Sequence, residues 1–334
     1  MNGSRYARIV GLGQSVPPRV VTNDELAKMV DTSDEWIRSR TGIAERRFVS
    51  EGESTASLAA AAGCRAMDQA GVSPGDVDLV IVATSTPDYP LFPSASCLVQ
   101  AELELSRAGA FDLSAACSGF VYGLITASQF ITTGAYGCVL VIGADALSRF
   151  VNFEDRTTCV LFADGAGAAV VTASDEPGGL LSFVLGADGS GGEHLMVPAG
   201  GSRSPMTPAA LAAHQNTIQM NGREVYRFST TTPVTALERA ADAAGVRVKD
   251  LDLVVAHQAN VRILQTVAKN LHVPEELFYT NVDRFGNTSA ASVPLALCDA
   301  AAEGRIQPGA LVGLMGFGAG LTWATAIWRW HGVT

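Results

Sequence analysis

Basic side chains are in short supply. Lys and Arg total 23 against 33 Asp and Glu, which leaves a net charge of -10 over 334 residues. That balance disfavours a general nucleic-acid or anionic-membrane binder, and any acidic partner must find a local basic patch. Charge of either sign is sparse at 17%, while hydrophobic residues make up 48%, so a disordered, solvated polymer is excluded as the main content. Long apolar runs are also missing: stretches such as Leu79 to Ala83 and Cys138 to Ile142 fall far short of the roughly 20 residues a membrane span requires. The opening Met1-Asn2-Gly3-Ser4-Arg5-Tyr6-Ala7-Arg8 lacks the apolar core and cleavage site of a signal peptide, which predicts a cytoplasmic protein. Six cysteines (Cys64, Cys97, Cys117, Cys138, Cys159, Cys298) form no Cys-x-x-Cys pair and no metal-ligand spacing, and read as free thiols.

What is present is an internal repeat. Ala70-Gly71-Val72 through Leu79-Val80-Ile81-Val82-Ala83 aligns without gaps with Ala244-Gly245-Val246 through Leu253-Val254-Val255-Ala256-His257. Each copy ends a helix pattern at a glycine cap and turns into an unbroken β-branched run, as expected of a strand buried on both faces. A second echo follows in the same order, Cys138 to Gly143 against Ala310 to Gly316. Two echoes in register predict a duplicated α/β protein, with halves at 1–175 and 176–334. The Gly-, Ser- and Pro-rich stretch from Gly186 to about Gln215 reads as a surface excursion near a site.

Cys117 follows a short strand pattern and precedes the apolar helix pattern from Phe120 towards Ile131, which places it at a strand-to-helix elbow. Free helix amides there favour thiolate over thiol, so a lowered pKa is expected. Cys64, Cys138 and Cys298 sit inside periodic segments and read as packed core residues. His257 closes a buried strand, where open α/β sheets hold ligands, and the repeat places it opposite Ala83. Asn287 lies in a glycine turn followed by small residues; alone it reads as a turn or capping residue. Gly316-Phe317-Gly318-Ala319-Gly320 after the last apolar run reads as a turn able to present backbone amides to an oxyanion.

Together these segments resemble β-ketoacyl-acyl-carrier-protein synthase III, a family with the thiolase fold. Further support comes from Asp31-Thr32-Ser33-Asp34-Glu35-Trp36-Ile37 with Arg40-Thr41-Gly42-Ile43, from Asp155-Arg156, and from Asp164-Gly165-Ala166-Gly167-Ala168-Ala169. The resemblance implies duplicated α/β halves stacked in five layers, α-β-α-β-α, and a homodimer. It implies that Cys117 takes an acyl group from acyl-coenzyme A (acyl-CoA), and that His257 and Asn287 stabilise the enolate formed when malonyl-acyl carrier protein loses carbon dioxide. The amides of Cys117 and Gly318 would form the oxyanion hole, with Phe317 beside the malonyl carboxylate. Trp36, Arg40, Arg156 and Thr32 would hold coenzyme A. Phe92 would limit the acyl pocket across the dimer, although its loop, Thr86 to Pro93, is slightly longer than in common members. Arg262, Lys269 and Arg227 would dock the carrier protein, and Arg223 replaces an asparagine found in some members. No metal or other cofactor is implied, acyl-CoA being a substrate. A specialised secondary-metabolism condensing enzyme or acyltransferase with the same Cys-His-Asn set fits the motifs as well. A non-catalytic acyl-CoA-binding subunit predicts a damaged set, and the set is intact.

Overall fold

The computed structural model describes residues 5–333. The two predicted buried strands form as Leu79–Ala83 and Leu253–Ala256, with every residue of both buried. Apolar on both faces, each can only lie inside a sheet, and each pairs in parallel with the second strand of its echo. Leu79 stands opposite Val139 and Leu253 opposite Val312, so Gly143 and Gly316 occupy equivalent positions, as do Ala83 and His257.

The equivalence extends to whole sheets. The first runs Tyr6–Ser15, Asp164–Ser174, Cys138–Ala146, Leu79–Ala83, Gly109–Leu113. The second runs Gly179–Ala187, Thr322–Arg329, Leu311–Gly318, Leu253–Ala256, and a parallel bridge from Val254 to Phe278 stands where a fifth strand would be. In both, the first two pairings are antiparallel and the next parallel.

Helices Gly119–Thr132 and Ser292–Ala302 lie between the sheets and share one apolar core with both. Helices Thr55–Ala70 and Ala95–Glu102 cover the outer face of the first sheet, and Gly222–Ala243 with Val261–Asn270 cover that of the second. The result is the expected five-layered α-β-α-β-α thiolase fold. A fourth apolar cluster joins Val21, Ile37, Phe48, Leu147, Phe162 and Ile218 from short elements and loops outside the two main sheets.

The excursion departs from its sequence reading only at its start, where Gly186 and Ala187 still belong to a strand. It then makes a two-residue ladder, Leu195–Met196 against Gln219–Met220, which brings Leu195 to the site below. Cys64 does not join the core: it is exposed on its helix, whereas Cys138 and Cys298 are buried. Among the described residues no helix is long and apolar enough to cross a membrane.

Candidate active site

The strand Gly109–Leu113 ends two residues before a single 3-10 turn, Ala116–Ser118, that runs straight into helix Gly119–Thr132. Ala116 has φ 46°, a left-handed conformation that costs a non-glycine residue about 1–3 kcal/mol and is retained where surrounding structure enforces it. The equivalent turn of the other half, Ser289–Ala291, starts at Ser289 with φ 50°. The two turns meet, and Cys117 Sγ lies 3.5 Å from Ser289 Oγ. Gly143 and Gly316 make the approach possible. A Cβ on Gly143 would collide with the Ala290 carbonyl, and one on Gly316 would come within 2.7 Å of Ser118 Cα.

The expected thiolate is not what this geometry favours. Cys117 is only 5% exposed, and burial pushes its thiol up to about 12, with the nearby Asp145 carboxylate pushing the same way. Hydrogen bonds from Ser289 and from the amides of Cys117 and Ala319 pull it down, but desolvation outweighs them. Cys117 therefore rests as a thiol.

His257 sits just past its strand with its amide bonded to the Met315 carbonyl at 2.7 Å. Its Nδ1 is 2.6 Å from Ser292 Oγ, and its ring meets Phe317 edge-on at 5.2 Å. The ring is 2% exposed, and burial holds it neutral, its pKa lowered to about 3. Ser292 Oγ already accepts the Gln258 amide at 3.4 Å, so its own proton is free for Nδ1. That assignment leaves the proton of the imidazole on Nε2.

Asn287 is held by its backbone, which exchanges hydrogen bonds with Leu161 and Ala163. Its Oδ1 accepts the Ser289 amide at 2.9 Å, so the side-chain Nδ2 is left as the free donor. Phe317 and Gly318 belong to strand Leu311–Gly318, opposite Trp323 and Thr322, and not to the turn read from the sequence. Gly318 matters for what it lacks: a Cβ there would lie 2.9 Å from Cys117 Sγ. The amide that hydrogen-bonds the sulfur beside that of Cys117 itself comes from Ala319, one residue beyond the one expected.

These side chains converge on one place. Cys117, His257, Asn287, Phe317 and Gly318 line a cavity of about 110 Å³, with Leu195, Val225 and Asn260 among its other walls. Cys117 also opens onto a second cavity of about 320 Å³, walled by Leu147, Phe150, Phe162, Leu195 and Ile218. The sulfur thus stands between a small chamber that holds the His257 and Asn287 donors and a larger, apolar one.

The remaining predicted residues lie outside. The guanidinium groups of Arg40 and Arg156 sit 4.9 and 5.1 Å from the Trp36 ring, a cation-π cluster on the surface. Arg156 bonds the Asp31 carbonyl at 2.9 Å, and the Thr32 hydroxyl next to it is buried without a partner. Asn260 Nδ2 bonds the Arg40 carbonyl at 3.1 Å and so links this cluster to the segment after His257. Phe92 does not line either cavity of the chain; it stands 81% exposed beside Leu91 at 80%. Arg262 and Lys269 are exposed on helix Val261–Asn270. Arg227 is exposed as well, but Glu224 neutralises it at 2.6 Å. Arg223 is exposed one turn earlier on the same helix. Ser292 and Ser289 went unread because small hydroxyl residues in a run of small residues carry no signal of what they will face.

Family profiles described as 3-oxoacyl-[acyl-carrier-protein] synthase III match residues 111–189, and its C-terminal part residues 241–330. A β-ketoacyl-[acyl-carrier-protein] synthase III of Symbiobacterium thermophilum is 52% identical over 98% of both chains. The crystal structure of the 3-oxoacyl-[acyl-carrier-protein] synthase III of Aquifex aeolicus superposes with a TM-score of 0.90 at 43% identity, covering 97% of this chain and 100% of the other. The priming β-ketosynthase of the R1128 polyketide pathway superposes at 0.92 with 35% identity, over 100% and 99%. Identity of this depth over nearly the whole length, on the same fold, places the chain in the β-ketoacyl-acyl-carrier-protein synthase III family.

Proposed function

We propose that this β-ketoacyl synthase III condenses a short acyl-CoA with malonyl-acyl carrier protein through Cys117, His257 and Asn287. The observation that carries the reading is the position of Cys117 between an apolar chamber and a chamber holding two hydrogen-bond donors. The sulfur attacks the thioester carbonyl of acyl-CoA, a new S–C bond forms, and the bond to coenzyme A sulfur breaks; coenzyme A leaves with the proton of the thiol. The acyl chain lies in the apolar chamber. Malonyl thioester then enters the smaller one, with its carbonyl oxygen at His257 Nε2–H and Asn287 Nδ2–H. When the carboxylate carbon leaves as carbon dioxide, the electron pair forms an enolate on that oxygen, where each donor counts most. The enolate carbon attacks the acyl-cysteine, the tetrahedral oxygen rests on the Cys117 and Ala319 amides, and the C–S bond breaks with its electron pair going to sulfur; 3-ketoacyl carrier protein leaves, and the thiolate takes a proton from solvent to restore the Cys117 thiol. The chemistry needs no metal or further cofactor.

Trp36, Arg40 and Arg156 offer a flat cationic surface for the adenine and phosphates of coenzyme A, with Thr32 beside it. Arg262 and Lys269 offer a basic face to an acidic carrier. The exposed Leu91 and Phe92 fit a homodimer in which each chain closes the apolar chamber of its partner. We take 1–175 and 176–334 as the two halves and the cytoplasm as the site of action. The likeness to a priming ketosynthase at 35% identity supports a second reading, in which the same residues prime a specialised pathway.

Intact-mass measurement after incubation with mixed acyl-CoA donors tests the function. A single acyl adduct on Cys117, absent in Cys117→Ala, is expected. An adduct that persists in Cys117→Ala overturns the assignment, and retention of only unusual donors moves it to the specialised pathway.

A further inference from the structure

The duplication leaves one feature that the condensation does not use. Two residues beyond Gly316, the strand of the second half places Gly318 against the Cys117 turn; two residues beyond Gly143, the equivalent strand of the first half places Asp145 against the Ser289–Ala291 turn. Cys117 and Ala290 are the central residues of the two turns. The Cys117 amide approaches its own sulfur, where an oxyanion would rest, and the Ala290 amide donates to Asp145 Oδ2 at 3.1 Å. The half without a nucleophile therefore carries a carboxyl group, supplied by the chain, where its counterpart would bind a transient anion, although burial raises the pKa of that carboxyl.

Asp145 is completely buried and richly held. Its Oδ1 accepts the amides of Ser85 at 2.7 Å and Thr86 at 3.1 Å, and the hydroxyls of Thr84 at 3.1 Å and Thr86 at 3.0 Å. Its Oδ2 holds the Ala290 amide, and the neighbouring Ser289 Oγ lies 3.5 Å from Cys117 Sγ. A chain of contacts thus runs from Cys117 through Ser289 and the adjoining Ala290 amide to a buried carboxyl group. The same carboxylate anchors Ser85 and Thr86, at the foot of the loop that carries Leu91 and Phe92.

We propose that Asp145 is a positioning residue for acylation: it fills the anion site of the Ser289–Ala291 turn and, through Ser289, holds the Cys117 sulfur in one orientation towards acyl-CoA. The proposal rests on Cys117 being the acyl acceptor. The titratable groups facing the sulfur are Asp145 and, across the smaller chamber, His257, which burial keeps neutral; Asp164 lies behind Asp145 on the neighbouring strand. Asp112 on the preceding strand turns away to the amides of Ala95 and Ser96.

The two partners of the sulfur act on its ionisation in opposite senses, which gives a readout that loss of packing alone does not reproduce. The Asp145 charge opposes the thiolate, whereas the Ser289 hydroxyl supports it. The test is the pH dependence of iodoacetamide alkylation of Cys117 in the full chain, with folding checked by near-ultraviolet circular dichroism. Asp145→Asn should move the alkylation midpoint to lower pH while slowing acylation from acetyl-CoA by at least about tenfold. Ser289→Ala should move the midpoint to higher pH, and Ser289→Gly, which accepts the φ of Ser289 without strain, should match it. Midpoints that stay in place, or that move the same way in both classes of variant, overturn the proposal. Should Asp145→Asn fail to fold, the two Ser289 variants decide, an unmoved midpoint again counting against it. Alkylation needs no acyl donor, so absence of acyl transfer to Cys117 would sink the proposed function separately.

Discussion

Ser292 engages one ring nitrogen of His257 and leaves the other free to face the chamber beside Cys117. Its hydroxyl lies 2.6 Å from Nδ1, which leaves the proton on Nε2 and makes the neutral ring a donor into that chamber. His257→Ala should slow malonyl decarboxylation by about 10² to 10³-fold, the usual loss when one preorganised donor goes. Ser292→Ala should cost less, on the order of tenfold, since the ring stays but its tautomer is free. Carbon dioxide release from malonyl carrier protein measures both; equal rates in Ser292→Ala and the wild type would remove Ser292 from this role.

Burial of His257 makes a pH prediction with a definite sign. The folded protein holds its pKa down at about 3, below the ordinary 6.5, so between those values only the unfolded chain takes up the proton. Its contribution to stability is complete above 6.5 and is lost as the pH falls towards 3. The melting temperature should fall on acidification from pH 7 to 4, and by less in His257→Gln. Decarboxylation, for its part, should show no inflection near 6.5, because the ring is already neutral there.

Phe92 is 81% exposed in a chain whose apolar chamber lies elsewhere. If a partner chain buries it, Phe92→Ala should weaken self-association in analytical ultracentrifugation and shift donor preference towards longer or branched acyl-CoA. Donor preference and association both unchanged would place Phe92 outside the pocket and outside the interface.

Arg262 and Lys269 stand seven residues apart, about two helical turns and nearly one face. Arg262→Glu should raise the Michaelis constant for malonyl carrier protein while leaving acylation by acyl-CoA within about twofold. Added salt should weaken the wild type more than the variant, because exposed charges are screened beyond about 8 to 10 Å. Arg227→Glu should do less, since Glu224 already neutralises Arg227.

Much of the architecture was legible before any coordinates. A strand buried on both faces must be apolar throughout, so Leu79–Ala83 and Leu253–Ala256 announced themselves, and their gapless alignment carried the duplication and the place of His257. The motifs around Cys117 and Asn287 were local too, because an elbow and a glycine turn are made by neighbours in the chain.

What the sequence determined by itself was therefore the duplicated sheets, the elbow and the three residues, Cys117, His257 and Asn287, that the fold brings to one cavity. Tertiary structure alone decided how those residues are held and in what state. Ser292 reaches His257 across 35 positions, Asp145 reaches Ala290 across 145, and Ser289 reaches Cys117 across 172. The thiol of Cys117 departs from the expected thiolate for the same reason. A helix start favours the anion locally, but the water excluded by two packed turns is set by the whole fold, and desolvation is the larger effect.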